Sequence, residues 1–206
     1  MEKHLIFDFD GVIGDTQDAS AKATMEVDGS TYEGAWAENL RYSSEKPDHS
    51  RGHTLSDEEM RAIYEWTTKF GTLMRDAHFP LFDEFVKEIE KIDTKYKAVV
   101  SSGSQLYVIP ALAETNINPT HILAYENHHS KEEKIETICK DWGCEVSDVY
   151  YFTDTLADIY ELQNFISPDK LIGVAWGYCG KEALSKELDE GYILCTPCEL
   201  TALLEG

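Results

Sequence analysis

His4-Leu5-Ile6-Phe7-Asp8-Phe9-Asp10-Gly11 is a short apolar run that ends in two acids and a glycine. A run of this length, bounded by a turn residue, reads as a buried strand. Asp8 and Asp10 are two apart, so in an extended strand they share a face. Two carboxylates placed together repel unless a cation or a shared proton relieves them.

Working outward, the pattern repeats. Lys97-Ala98-Val99-Val100 reads as a strand closed by Ser101-Ser102-Gly103-Ser104, and further strands are expected at His121–Tyr125, Val149–Thr153 and Leu171–Ala175. Helical periodicity separates them. Leu81, Phe82, Phe85, Val86, Ile89 and Ile92 recur at helical spacing, Gln105–Thr115 reads as a helix, and Lys131–Trp142 is a helix ended by Gly143. Strands alternating with helices predict an α/β fold: a three-layer, Rossmann-like core with a parallel sheet.

Residues 16–78 differ in character, being polar and without alternating apolar segments. Ser56 and Glu59 have the spacing of a capping box, opening a helix with Met60, Ile63, Tyr64 and Thr67 on one face. Asn39–Arg51 reads as a loop. The expected organisation is a core domain of residues 1–15 and 79–206, with a small α-helical cap, residues 16–78, inserted after the first strand. Ligands in such sheets bind at the carboxyl ends of the strands, so the cap is expected over the active site.

The 206 residues carry a formal net charge of −21. That field repels a nucleic-acid backbone, so no nucleic-acid partner is expected. No apolar run approaches membrane-spanning length and no signal peptide is read, which gives the expectation of a cytoplasmic protein with no membrane partner. The five cysteines are expected to be reduced thiols. Cys195 and Cys198 have C-x-x-C spacing but no second pair, and are read as small residues at a strand end.

Four positions, at strand ends or a helix start, carry polar groups that together suggest chemistry. Asp8-Phe9-Asp10-Gly11 is the first. Ser101-Ser102-Gly103 offers a hydroxyl and amides at a strand-to-helix turn, which suits an anion. Lys131 opens a helix, where the helix dipole disfavours a cation unless an anion answers it, and Lys134 is a rival for the same task. Thr153-Asp154-Thr155-Leu156-Ala157-Asp158 places two acids beyond a strand, where both can reach a hard cation.

In this order the four motifs resemble those of the haloacid dehalogenase superfamily: D-x-D-G-[VT], a strand ending in Ser or Thr, a Lys, and [GT]-D-x-x-x-D. The resemblance spans roughly residues 4–16 and 79–200 and includes Phe79-Pro80-Leu81-Phe82 and Gly173-Val174-Ala175-Trp176-Gly177-Tyr178. The Lys131-to-Gly143 spacing is similar to that of phosphoserine phosphatase-like members. The resemblance implies a phosphohydrolase acting on a small phosphorylated metabolite, with Asp8 as nucleophile and Asp10 as general acid and base. It implies Mg²⁺ as cofactor, held by Asp8, the Asp10 carbonyl and Asp154, with Asp158 direct or through water. It implies Ser101 and Lys131 as phosphoryl-oxygen ligands, with Ser102, Gly103 and Gly11 nearby. A sugar phosphomutase would keep the same Asp pair, and a non-catalytic binding protein would have lost an acid or the lysine. Within the cap, His49, Arg51 and His53 are read as exposed loop residues, and Trp36, Tyr42, Tyr64 and Trp66 as cap core. His128 and His129 are read as part of a polar loop, and Trp176 as core packing.

Overall fold

The computed structural model describes residues 2–47 and 56–205. Six strands form one sheet, all parallel: β1 His4–Phe7, β2 Lys97–Val100, β3 His121–Leu123, β4 Val149–Thr153, β5 Leu171–Val174 and β6 Ile193–Leu194. Their order is β3-β2-β1-β4-β5-β6. The strand order reverses direction at β1, where doubly wound sheets form their ligand crevice. β1 pairs with β2 on one side (Phe7 with Val99) and with β4 on the other (Phe7 with Phe152). Asp8, Ser101 and Asp154 therefore leave three adjacent strands at the same edge.

The helices are α1 Gln17–Asp28, α2 Tyr32–Ser44, α3 Asp57–Asp76, α4 Asp83–Lys91, α5 Gln105–Ala113, α6 Lys131–Trp142, α7 Leu156–Leu162, α8 Gly180–Leu184 and α9 Glu199–Glu205. Alternation along the strands sorts the core into two layers. Leu5, Phe7, Val99 and Phe152 pack with Phe85 of α4, Val108 of α5 and Leu200 of α9. Ile6, Val100 and Tyr151 pack on the other face with Ile135 and Ile138 of α6 and Ile159 of α7. Trp176 is core packing as expected, its ring 4.9 Å from that of Phe85.

Helices α1, α2 and α3 lie between β1 and α4. α1 packs on both α2 and α3, while α2 also touches α7 and α3 touches α5. The Ser56–Glu59 capping box forms as read from sequence. Three other expectations fail here. Asn39–Ser44 is helix and not loop, because Asn39 is held on α1: it accepts from Thr24 Oγ1 at 3.1 Å and donates to Ser20 Oγ at 3.0 Å. On α3 the buried stripe is Thr67, Phe70, Gly71 and Met74, whereas Met60 and Tyr64 are exposed. Tyr42, Tyr64 and Trp66 are not core, each being more than a third exposed. His49, Arg51 and His53 lie outside the described residues. Among those described, no helix is long and apolar enough to cross a membrane, and all five cysteines are free.

Candidate active site

The first strand ends at Phe7, two residues earlier than its apolar run, and this separates the two acids. Asp8 N–H still donates to Phe152 O at 2.9 Å, but Ile13 and Gly14 then both donate to Phe9 O at 2.9 Å, folding residues 9–14 into a tight loop. Gly11 sits in it at φ +74°, a conformation that favours glycine. Asp8 and Asp10 therefore do not share the face of an extended strand. Asp8 turns toward α6 and α7, and Asp10 toward α5.

Asp8 meets Lys131. The Lys131 ammonium donates to Asp8 Oδ2 at 2.7 Å and to Asp158 Oδ2 at 2.6 Å, and all three side chains are buried. Glu161 fixes the start of α6 by accepting from Lys131 N–H at 2.7 Å and from Ser130 Oγ at 3.2 Å. Asp158 Oδ2 also accepts from Thr153 Oγ1 at 2.8 Å and Tyr151 Oη at 3.1 Å. Burial opposes ionisation of Asp158, but Lys131 and these donors hold it below the usual carboxylate range. Asp8 stands well above that range, because burial and the charges of Asp158 and Asp154 outweigh Lys131. Burial alone would depress Lys131, yet Asp158 and Asp8 carry it well above an ordinary lysine. The cation at a helix start thus answers two anions.

Lys134, the rival, points elsewhere. It is buried and donates to the Ser101 carbonyl at 2.7 Å, tying α6 to the end of β2. Burial first, and then the charge of Lys131, push it down to about 7. The sign of its effect on stability follows. An unfolded lysine titrates near ~10.4, so the unfolded chain takes up this proton first and folding loses stability as pH falls from about 10.4 toward 7. Lys134→Met removes that loss. Denaturant titrations at pH 7 and pH 9.5 should show the variant gaining on the wild type at the lower pH; a difference independent of pH would contradict the assignment.

Asp10 Oδ2 accepts from Tyr107 Oη at 2.7 Å and from Ser101 Oγ at 3.3 Å. Burial raises Asp10 above the ordinary range, and the hydrogen bonds only partly offset it. Ser101 Oγ also accepts from Gly103 N–H at 2.8 Å. A Cβ on Gly103 would lie 1.8 Å from Tyr107 Oη and 2.9 Å from Asp10 Oδ2. The Tyr107 ring cannot yield cheaply, because Phe9, Phe70 and Phe79 meet it edge-on. Gly103→Ala is expected to lower stability by about 1–3 kcal/mol through overpacking. A urea midpoint unchanged from wild type would show that Tyr107 is free to move.

Asp154 leaves β4 fully buried. Its Oδ2 accepts from Tyr178 N–H at 2.6 Å, while its Oδ1 is buried with no hydrogen-bond partner. Burial raises it to about 7. A Cβ on Gly11 or Gly177 would fall 2.0 or 2.3 Å from Asp154 Oδ2, so both glycines are needed for the loops to close on this carboxylate. The Gly11 N–H is spent on Gly14 O at 2.9 Å.

Asp8, Asp10, Lys131, Asp158, Ser102 and Gly103 open onto a cavity of about 690 Å³ whose far wall comes from α1, α2 and α3. His129 lines it as well, whereas His128 pairs with Glu133. From α2, Tyr42 reaches down into it. Its hydroxyl interacts with Ser102. Tyr107, Glu161 and Tyr178 are site residues that the sequence reading did not single out, and Tyr42 is one that it placed in the cap core. Tyr178 alone had a signal, its place at the end of the Gly173–Tyr178 stretch.

Residues 5–164 match the family of haloacid dehalogenase-like hydrolases. The chain belongs to that family. The haloacid dehalogenase-like fold is shared along the whole chain with solved structures of low identity. A hydrolase from Pseudomonas syringae is 18% identical, with a TM-score of 0.72 and 99% and 98% of the two chains covered. A protein of Haemophilus somnus predicted to be a phosphoglycolate phosphatase is 14% identical, with a TM-score of 0.69 and 98% of each chain covered. CbbY from Rhodobacter sphaeroides, in complex with phosphate, is 15% identical, with a TM-score of 0.66 and 100% of each chain covered. No curated protein gives a significant sequence match.

Proposed function

We propose that this haloacid dehalogenase-like hydrolase is a Mg²⁺-dependent phosphatase of small phosphorylated metabolites, working through an aspartyl-phosphate on Asp8. The observation that carries this reading is the Asp8–Lys131–Asp158 triad at the floor of the cavity, with the Asp10 carboxyl beside it and held in place by Tyr107. An Asp8 oxygen attacks phosphorus. The ester P–O bond breaks with its electron pair going to the leaving oxygen, which takes a proton from Asp10. Water then attacks the phosphorus, gives its proton to Asp10, and releases inorganic phosphate from Asp8. A carboxyl raised by burial, as Asp10 is, suits both proton transfers. Lys131 offsets the charge that spreads over the phosphoryl oxygens, and Asp158 positions Lys131. Ser102 and Gly103 line the path of the phosphoryl group, while Ser101 steadies Asp10 from behind.

The donors fit a hard cation. Asp154 Oδ1 is buried without a partner, Asp8 lies at the neighbouring strand end, and the set is all oxygen. Among the described residues no three acidic, His or Cys side chains converge as a ready-made metal site, so the Asp10 backbone carbonyl and water would have to complete the set. Asp158, engaged by Lys131, would reach the ion through water. When bound, Mg²⁺ would neutralise the surrounding carboxylates and polarise the phosphoryl oxygens.

Phosphate release from a panel of phosphomonoesters, with Mg²⁺ and with EDTA, tests the reading. Turnover that EDTA abolishes and Mg²⁺ restores is expected. Turnover indifferent to EDTA would overturn the metal assignment, and the absence of release from every ester would overturn the phosphatase.

A further inference from the structure

The cavity is far larger than a phosphoryl group, so most of it is left for the leaving alcohol. On the side of α1–α3 it is bounded by the rings of Tyr42, Trp66 and Phe70 and by the polar groups of Ser20, Thr24 and Asn39. Trp66 stacks on Phe70 with centroids 4.9 Å apart and planes 14° from parallel, yet it remains 37% exposed, and Tyr42 is 52% exposed. Large rings left open inside a chamber, away from the packed core, are surfaces that gain by meeting another flat apolar face.

The charge of the lining decides what that face can carry. Asp8, Asp10, Asp158 and Glu161 line the cavity from the core, and Asp28 and Glu38 from the helices above. Among the described lining residues Lys131 is the one permanent cation, and Asp8 and Asp158 already hold it. Lys131 and bound Mg²⁺ would offset the core acids, so a second carboxylate or phosphate carried by the leaving alcohol toward α1–α3 would meet Asp28 and Glu38 there with no described lining cation. The two upper acids are themselves engaged: Asp28 accepts from Trp66 Nε1 at 2.7 Å, and Glu38 from Arg41 Nε at 2.9 Å. What the wall offers a ligand is the neutral Thr24–Asn39–Ser20 chain of hydroxyl and amide groups, suited to uncharged hydroxyls and ring heteroatoms.

We propose that the chamber selects phosphomonoesters whose leaving alcohol is uncharged and carries a flat ring, as a nucleoside or an aromatic alcohol does, over esters bearing a second anionic group. Trp66 and Tyr42 are the faces that meet the ring. The proposal rests on the phosphatase reading above and narrows it.

Initial rates with Mg²⁺ on adenosine monophosphate, its counterpart with a second phosphate on the ribose, glycerol phosphate, phosphoglycolate and phosphocholine test it. Adenosine monophosphate should exceed the two doubly anionic esters in kcat/KM by about tenfold or more, since a well-placed polar mismatch discriminates at least that strongly. Trp66→Ala should raise KM for adenosine monophosphate by roughly tenfold, the scale of a lost base–aromatic stack, and shrink its advantage over glycerol phosphate. Trp66→Phe should keep most of that advantage, and circular dichroism shows whether each variant is folded. A preference for the doubly anionic esters or for phosphocholine would overturn the proposal, as would an unchanged KM in folded Trp66→Ala. Calorimetric binding of the two adenosine esters to Asp8→Asn reads the same selectivity without turnover. A protein that hydrolyses nothing but still prefers the singly phosphorylated ester would fail the phosphatase reading alone; equal binding of the two would fail this proposal.

Discussion

Asp8→Asn should abolish phosphate release, by roughly a thousandfold or more, while leaving the protein at least as stable as the wild type. The amide keeps the shape of the carboxylate but cannot act as the nucleophile, and loss of a nucleophile costs about as much as loss of the whole catalytic unit. Stability should not suffer, because the wild-type carboxylate is already unfavourable where it sits. Burial and two neighbouring carboxylates raise it well above its ordinary range. An acid raised in the folded state loses stability as pH climbs from its unfolded value, about 3.9, through its folded one. The variant escapes that loss, so in metal-free protein at pH 7 its denaturation midpoint should equal or exceed that of the wild type. Activity within tenfold of wild type would remove Asp8 from the role of nucleophile. A large drop in stability would mean that the Lys131–Asp8 contact matters more to folding than the burial of Asp8 suggests.

Lys131→Met should be damaging in both respects. It leaves Asp8 and Asp158 buried beside each other without their shared cation, and breaking a buried ion pair from one side costs about 3–5 kcal/mol. It also removes the cation facing the phosphoryl group, a loss of about a hundredfold to a thousandfold in kcat for a group of this kind. The pH dependence identifies the cause. Lys131 holds Asp158 below its ordinary range, so that part of the stability is present above the unfolded value near ~3.9 and fades as pH falls through the folded one. The gap between wild type and variant should therefore be full at neutral pH and narrow below about pH 4. Guanidinium unfolding at pH 7 and pH 3.5 measures it. Coincident midpoints at pH 7 would contradict the account.

The first five strands were legible because each is a short apolar run followed by a polar turn, and three of those turns carry reactive groups. That was enough to bring Asp8, Ser101 and Asp154 to neighbouring strand ends. Lys131 was legible as a cation placed against a helix dipole, and the two anions that justify it are now visible. The turn after β1 was not legible. A period-two argument assumes that the strand continues, whereas the chain folds back on Phe9 O and sends Asp10 to Tyr107. Tyr107 itself lies on a helix among apolar neighbours, and nothing local distinguishes a tyrosine whose hydroxyl serves an acid from one packed in a core. The helices after β1 were harder still. α1 buries Ala19, Ala21 and Ala23 together with Ser20 and Thr24, so its inner face lacks the large apolar residues that reveal a period. Sequence alone places Tyr42 and Trp66 in a core, where aromatic residues usually lie; their exposure into a shared chamber depends on how three helices and the sheet edge meet.

The central claim is that phosphate passes through Asp8, and trapping it there is the most direct measurement. In Asp10→Asn, p-nitrophenyl phosphate can still transfer its phosphoryl group, because its leaving phenolate needs no proton, but the second step lacks its base. Acid-quenched protein, digested and analysed by mass spectrometry, should carry one phosphoryl group on the peptide containing Asp8, and none when Asp8→Asn is added. Release of p-nitrophenol with that peptide unmodified at every quench time would contradict the account.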